Sequence, residues 1–220
     1  YDALLLVGFG GPERPEDVVP FMRNVTAGKG IPDERLAVVG EHYFLFGGKS
    51  PINEQTQLLV SHIEADLARH GVNIPVYWGC RNWTPYLADT VQQMRADGVR
   101  RALAFTTSAY SSYSGCRQYR ENLHDAVATA GQGIQVDRAR AYFNHPGYTE
   151  AVTDAVLAGL QPFSESGTAE PTILFVTHSI PEPMDLSSGP EGRAYSTQHT
   201  QLMGEVLRGV QERSGQQYRH

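Results

Sequence analysis

The sequence predicts an open parallel α/β sheet, doubly wound by helices. Two observations carry that reading. Short runs of apolar or β-branched residues recur along the chain, and longer stretches with helical periodicity separate them, which is the repeat of βαβ units. Several of the short runs end in glycine, serine or histidine, as strands do where they emerge into the crevice that binds ligands in such sheets. With 220 residues, 40% of them hydrophobic, the chain can fill one α/β domain, or one domain and part of another.

The first strand is expected over residues 3–7, Ala-Leu-Leu-Leu-Val, unbroken in its apolar character as a strand covered on both faces must be. Helices are expected over 15–26, 32–46 and 53–70, then a strand over 74–78 and a helix over 84–96. A strand at 101–106, a helix at 115–130, a strand at 134–138 and a helix at 145–159 follow. The polar run 164–171, Ser-Glu-Ser-Gly-Thr-Ala-Glu-Pro, reads as a linker. Beyond it a central strand over 173–177, Ile-Leu-Phe-Val-Thr, stops on His178, and a last helix is expected over 193–213. The expected organisation is an N-terminal α/β domain over residues 1–163 and the opening βα unit of a second, similar domain over 172–220. That second part is expected to be incomplete, because a lone strand and helix have no sheet of their own.

Composition excludes several classes. The net charge is −6, with 18 basic residues scattered among 24 acidic ones, so there is no electrostatic footprint for nucleic acid. No stretch approaches the roughly 18 to 20 apolar residues of a spanning helix, and Tyr1-Asp2-Ala3 enters a strand without a basic leader. The chain reads as soluble and cytoplasmic. Cys80 and Cys116, far apart and without CxxC spacing, imply neither a disulfide scaffold nor a zinc site.

His178 is the first catalytic candidate. A strand end holds it, Pro181 stiffens the exit, and one ring nitrogen can be offered to a metal or a proton in a fixed direction. His42, His62, His70, His124, His145, His199 and His220 fall in helices, near helix ends or at the terminus, and are assigned no chemistry. Glu182 and Asp185 read as proton acceptors or, more simply, as solvated loop acids. The bend Val7-Gly8-Phe9-Gly10-Gly11-Pro12 suits a phosphate, a flat ligand or a plain turn, but it lacks both G-x-G-x-x-G spacing and a P-loop lysine. A second bend, residues 46–53, offers Ser50 or Asn53 as the N-cap of the next helix. The loop 110–120 carries Tyr110, Tyr113 and Tyr119 with Arg117 and Arg120, a mixture suited to a large, flat, anionic ligand or to an ordinary polar loop. Trp78, Trp83 and Tyr86 read as packing residues.

Four landmarks occur in a fixed order: the Gly8–Pro12 bend, Gly-Gly-Lys-Ser-Pro-Ile ending at Ile52, the tyrosine-rich loop, and Thr177-His178-Ser179-Ile180-Pro181. In these the chain resembles the ferrochelatase family over nearly its whole length, and most of all the branch that metallates coproporphyrin III. The resemblance implies a chelatase-like fold of two similar α/β domains around a cleft. It also implies insertion of ferrous iron (Fe2+) into a porphyrin, coproporphyrin III or protoporphyrin IX, in heme biosynthesis. On it His178 is the catalytic and metal-binding residue, while Ser50 and Tyr119 match positions that contact the porphyrin propionates or rim. Tyr113 is read as a substrate contact and axial phenolate. Where some relatives carry an iron-ligating tyrosine in the glycine bend, this chain has Phe9, so an axial oxygen must come from Tyr113 or Tyr110. The family's catalytic glutamate falls in a C-terminal half that these residues do not include. A two-iron two-sulfur (2Fe-2S) cluster, to which Cys116 would contribute, is expected only in a longer chain. Partners implied are the porphyrin and transient contacts with other heme-pathway enzymes. A noncatalytic tetrapyrrole-binding module and a chelatase for another tetrapyrrole remain the alternatives.

Overall fold

The computed structural model describes residues 1–166 and 171–220, with side chains for 1–163 and 171–220. Four strands, β1 (Ala3–Gly8), β2 (Val76–Cys80), β3 (Arg101–Thr106) and β4 (Gln135–Arg138), form one all-parallel sheet in the order β2-β1-β3-β4. β1 is central because its sequence permits nothing else: Ala3, Leu5 and Val7 on one face and Leu6 on the other are all fully buried. The chain leaves β1 toward β2 and returns on the opposite side as β3, so the switch point lies at the exits of β1 and β3. Gly8 pairs with Cys80 and Val7 with Thr106, which sets those exits level.

The chain divides into two compact units, residues 1–107 with 119–139 and residues 108–118 with 140–220. In the first, α1 (Val18–Val25), α2 (Asp33–Phe44), α3 (Ile52–Arg69), α4 (Leu87–Ala96) and α5 (Gln118–Ala130) accompany the sheet. α4 and α5 cover the Leu5 face with Val91, Met94, Leu123 and Ala126. α1 and α2 build a second cluster around Phe21, which meets Phe9, Tyr43 and Trp83 edge-on at 6.1–6.2 Å. Trp83 is thus the packing residue expected of it. Strand β2 starts two residues later than expected, since Pro75 has no N–H to give the ladder and serves only as acceptor to Leu4 N at 3.0 Å. α4 begins at Leu87 because Tyr86, at φ −68° and ψ 142°, is extended.

The second unit is built on α6 (Pro146–Ser166) and α8 (Ala194–Ser214), which pack through Leu160, Leu202, Val206 and Val210. α7 (Glu182–Leu186) is a single short turn that the sequence reading passed over as loop. Helix α6 runs on to Ser166, so the first residues of the expected linker are helical, and residues 167–170 lie outside the described residues.

The strand expected over 173–177 is not formed. Thr172 makes an isolated parallel bridge with Arg219, Ile173 N donates to Arg219 O at 2.9 Å, and no ladder continues among the described residues. Ile173 and Phe175 pack into the α6–α8 cluster, while Leu174 and Val176 are 80% and 91% exposed. The segment has the composition of a strand covered on both faces, but within this unit only one face meets helices.

Candidate functional site

The exit of β1 is a bend in which Gly10 and Gly11 are required by packing. Gly10 has φ +80°, and a Cβ there would stand 3.0 Å from Cys80 Cβ and from Trp83 Cβ. A Cβ on Gly11 would meet Ile52 Cγ2 at 2.6 Å and Ser50 Cβ at 2.9 Å. The bare backbone therefore lets the second bend seat directly on the first. Ser50 N donates to Pro12 O at 2.8 Å, and buried Asn53 donates through Nδ2 to Gly11 O at 3.2 Å and Glu13 Oε1 at 2.8 Å. Neither residue is the N-cap expected of it; Pro51 holds that position, and Asn53 ties the two bends together instead. Ser50 lines a cavity of about 230 Å³ with His42, Tyr43, Phe46, Lys49 and Pro51. Lys49 Nζ, 2.9 Å from Glu54 Oε1, and the Tyr43 phenol, raised by burial, make its polar edge.

Arg81 is the residue that sequence reasoning missed. Its guanidinium carbon lies 5.6 Å from the Phe9 ring centroid and 5.5 Å from that of Tyr119, held between two aromatic faces at the exit of β2. The signal was present: with β2 in its true register the strand ends at Cys80, and a basic residue follows. Tyr119 is 4% exposed, and burial, against the opposing pull of Arg81, pushes its phenol up to about 12. It is a neutral hydroxyl within the core. Cys80 is likewise buried, its thiol pushed up to about 12 by desolvation. Cys116 lies in the partly exposed π-helical turn Tyr113–Arg117.

That turn belongs to the second unit. Ser112 Oγ caps it by accepting from Gly115 N at 2.9 Å. Ser111 is gripped twice by Gln198, its N donating to Oε1 at 2.7 Å and its Oγ accepting from Nε2 at 3.0 Å. Tyr113 stands 43% exposed at the start of the turn. Tyr110 is spent on structure: its ring stacks on His199 at 3.6 Å, and burial followed by a hydrogen bond with Tyr148 raises its phenol. Of the two tyrosines offered for axial ligation, Tyr113 is the more exposed.

His178 is exposed. Its Nδ1 lies 2.7 Å from Ser179 O, an acceptor only, so Nδ1 carries a hydrogen, and in the neutral ring Nε2 is the nitrogen with the lone pair. Asp185 is no solvated loop acid. It is buried and accepts from Ser196 N at 3.1 Å, Ser196 Oγ at 2.8 Å and Ser188 Oγ at 3.4 Å, which together hold its carboxyl below the usual range and tie down the start of α8. Glu182 remains exposed, 3.5 Å from Arg193. Among the described residues no group of three or more His, Cys, Asp or Glu side chains is arranged to hold a metal ion, and no helix is long and apolar enough to cross a membrane.

A family model described as Ferrochelatase matches residues 1–219. The chain belongs to the ferrochelatase family. Among curated relatives, the coproporphyrin III ferrochelatase of Streptomyces coelicolor is 52% identical over 98% of this chain and 60% of its own length. The protein of the same description from Streptomyces griseus is 51% identical over 99% of this chain and 60% of its own, and that from Frankia alni 48% over 97% and 55%. The chain thus spans less than two thirds of the length of these ferrochelatases. The four-stranded parallel sheet with flanking helices is the α/β architecture that the resemblance implied.

Proposed function

We propose that this chain carries the iron-handling histidine and part of the porphyrin-binding wall of an enzyme that inserts ferrous iron into a porphyrin in heme biosynthesis, with coproporphyrin III as substrate. The observation that carries the reading is the exposed His178 imidazole, its Nδ1 hydrogen bonded to Ser179 O and its Nε2 lone pair left for an incoming ion or proton. Insertion forms iron–nitrogen bonds as two pyrrole N–H bonds break, and two protons leave. A neutral imidazole suits both tasks, since its one lone pair can bind ferrous iron or take a proton. Ser50, in its cavity beside Lys49 and Tyr43, receives a carboxylate of the macrocycle rim. Tyr119 acts through the Arg81 guanidinium that it helps to hold, and the exposed Tyr113 ligates the iron of the product.

In this reading residues 172–220 open a second domain, and Fe2+ is a substrate, not a resident cofactor. The thiols Cys80 and Cys116 suit a reducing cytoplasm. Contacts with other heme-pathway enzymes are transient. Absorption titration with coproporphyrin III, protoporphyrin IX and sirohydrochlorin, followed by anaerobic addition of Fe2+, tests the assignment. Coproporphyrin III should bind most tightly and take up iron. Binding without any metallation would mark a tetrapyrrole-binding module, and preference for sirohydrochlorin would assign another chelatase.

A further inference from the structure

We infer that Tyr195, Thr177 and His199 form a hydrogen-bonded relay that positions the peptide carrying His178, making Tyr195 a positioning residue for metal insertion. The inference rests on the role proposed above for His178. Among the described residues, 174–180 make no backbone–backbone hydrogen bond, and side-chain contacts are what tie this segment to its unit.

Side chains of α8 supply the hold. Tyr195 Oη lies 2.7 Å from His178 O and 2.9 Å from Thr177 Oγ1, and Thr177 Oγ1 lies 3.0 Å from His199 Nε2. The hydrogens can be placed without ambiguity. A carbonyl only accepts, so the single phenolic hydrogen of Tyr195 goes to His178 O. Tyr195 Oη must then accept from Thr177, and Thr177, its one hydrogen used, must accept from a hydrogen on His199 Nε2. The direction runs from His199 through Thr177 and Tyr195 to the carbonyl of His178.

The donor end is fixed by packing. His199 stacks on Tyr110 at 3.6 Å and meets Tyr195 edge-on at 4.6 Å, and burial lowers its pKa, in keeping with a neutral ring bearing its hydrogen on Nε2. Tyr195 is fixed as well, its N donating to Ser188 Oγ at 2.9 Å. The next link beyond the relay is His178 Nδ1–H bonded to Ser179 O, whose geometry depends on where the 178 peptide sits. Helix α8 thereby sets the direction of the Nε2 lone pair through the 178 peptide.

Nitrogen NMR of the full chain labelled with ¹⁵N-histidine tests this, with the His178 resonances assigned by their loss in His178→Ala. In the parent, the neutral His178 ring should be a single tautomer with its hydrogen on Nδ1. Thr177→Val, isosteric but without the hydroxyl, and Tyr195→Phe break the relay at different bonds. Both should give mixed tautomers and lower the iron-insertion kcat about tenfold with the porphyrin KM unchanged, while Thr177→Ser restores both readouts. Parent tautomer and parent kcat in both Thr177→Val and Tyr195→Phe would overturn the inference. Should His178→Ala insert iron at the parent rate, the reading of His178 fails instead, and the tautomer populations still decide whether the relay positions its ring.

Discussion

Replacing Gly11 by alanine is expected to destabilise the first unit and weaken porphyrin binding together, because one methyl group would fall between the two bends. The added Cβ would stand 2.6 Å from Ile52 Cγ2 and 2.9 Å from Ser50 Cβ, whereas carbon atoms settle at roughly 3.5–4.0 Å, so the Ser50 turn must yield by about 1 Å. Gly11 is not among the glycines with positive φ, so the penalty is steric alone. Overpacking of this kind costs about 1–3 kcal/mol, which for a chain of this length corresponds to a drop in Tm of roughly 2–12 °C. Displacement of Ser50 by that distance should also raise the Kd for coproporphyrin III about tenfold or more. The assays are thermal unfolding by circular dichroism and absorption titration. Adding Ile52→Ala removes the closer clash, so the double variant should be more stable than the sum of the two single changes by at least about 0.5 kcal/mol. A Gly11→Ala protein with parental Tm and parental affinity would refute the contact between the bends.

Three further outcomes follow from burial. Val176→Ser, at a 91% exposed position, should change stability by less than about 0.5 kcal/mol, whereas Phe175→Ala, next to it in sequence but packed on α6 and α8, should cost at least about 2 kcal/mol; urea midpoints compare them. Cys80, with its thiol pushed up to about 12, should resist iodoacetamide in the native chain at about pH 8 and react once urea is added, as mass spectrometry of peptides would report. Burial lowers the pKa of His199 below its ordinary 6.5, so on acidification the unfolded chain takes up that proton first. Stability contributed there is complete above 6.5 and is lost as pH falls toward the folded value. Between about pH 7.5 and 5.5 the parent should therefore lose more stability than His199→Gln.

Strand β1 was legible in the sequence because it is buried on both faces and has no polar residue to mislead, and β3, with an apolar run between Arg101 and Thr106, stands at its expected bounds. The same logic failed over 173–177. Periodicity and composition say which faces are apolar, but not whether a neighbour arrives to cover them, and Leu174 and Val176 have none in their unit. α7 escaped notice because five residues with a proline among them carry no helical period. His178 could be singled out from its neighbours in sequence. Its support could not, since His199 looked like any helical histidine until folding brought its Nε2 to Thr177. Arg81 was hidden by a two-residue error in the register of β2, and Tyr119, chosen as a contact, proved to be a buried phenol whose visible work is to hold that arginine.

The most direct test of the role of His178 is anaerobic Fe2+ insertion into coproporphyrin III by His178→Ala beside the parent, both as full-length protein, with porphyrin affinity measured on the same samples. The account predicts that metallation is lost while coproporphyrin III binds with the parental Kd. Undiminished metallation by the variant, or loss of porphyrin binding along with it, would contradict the role given to that imidazole.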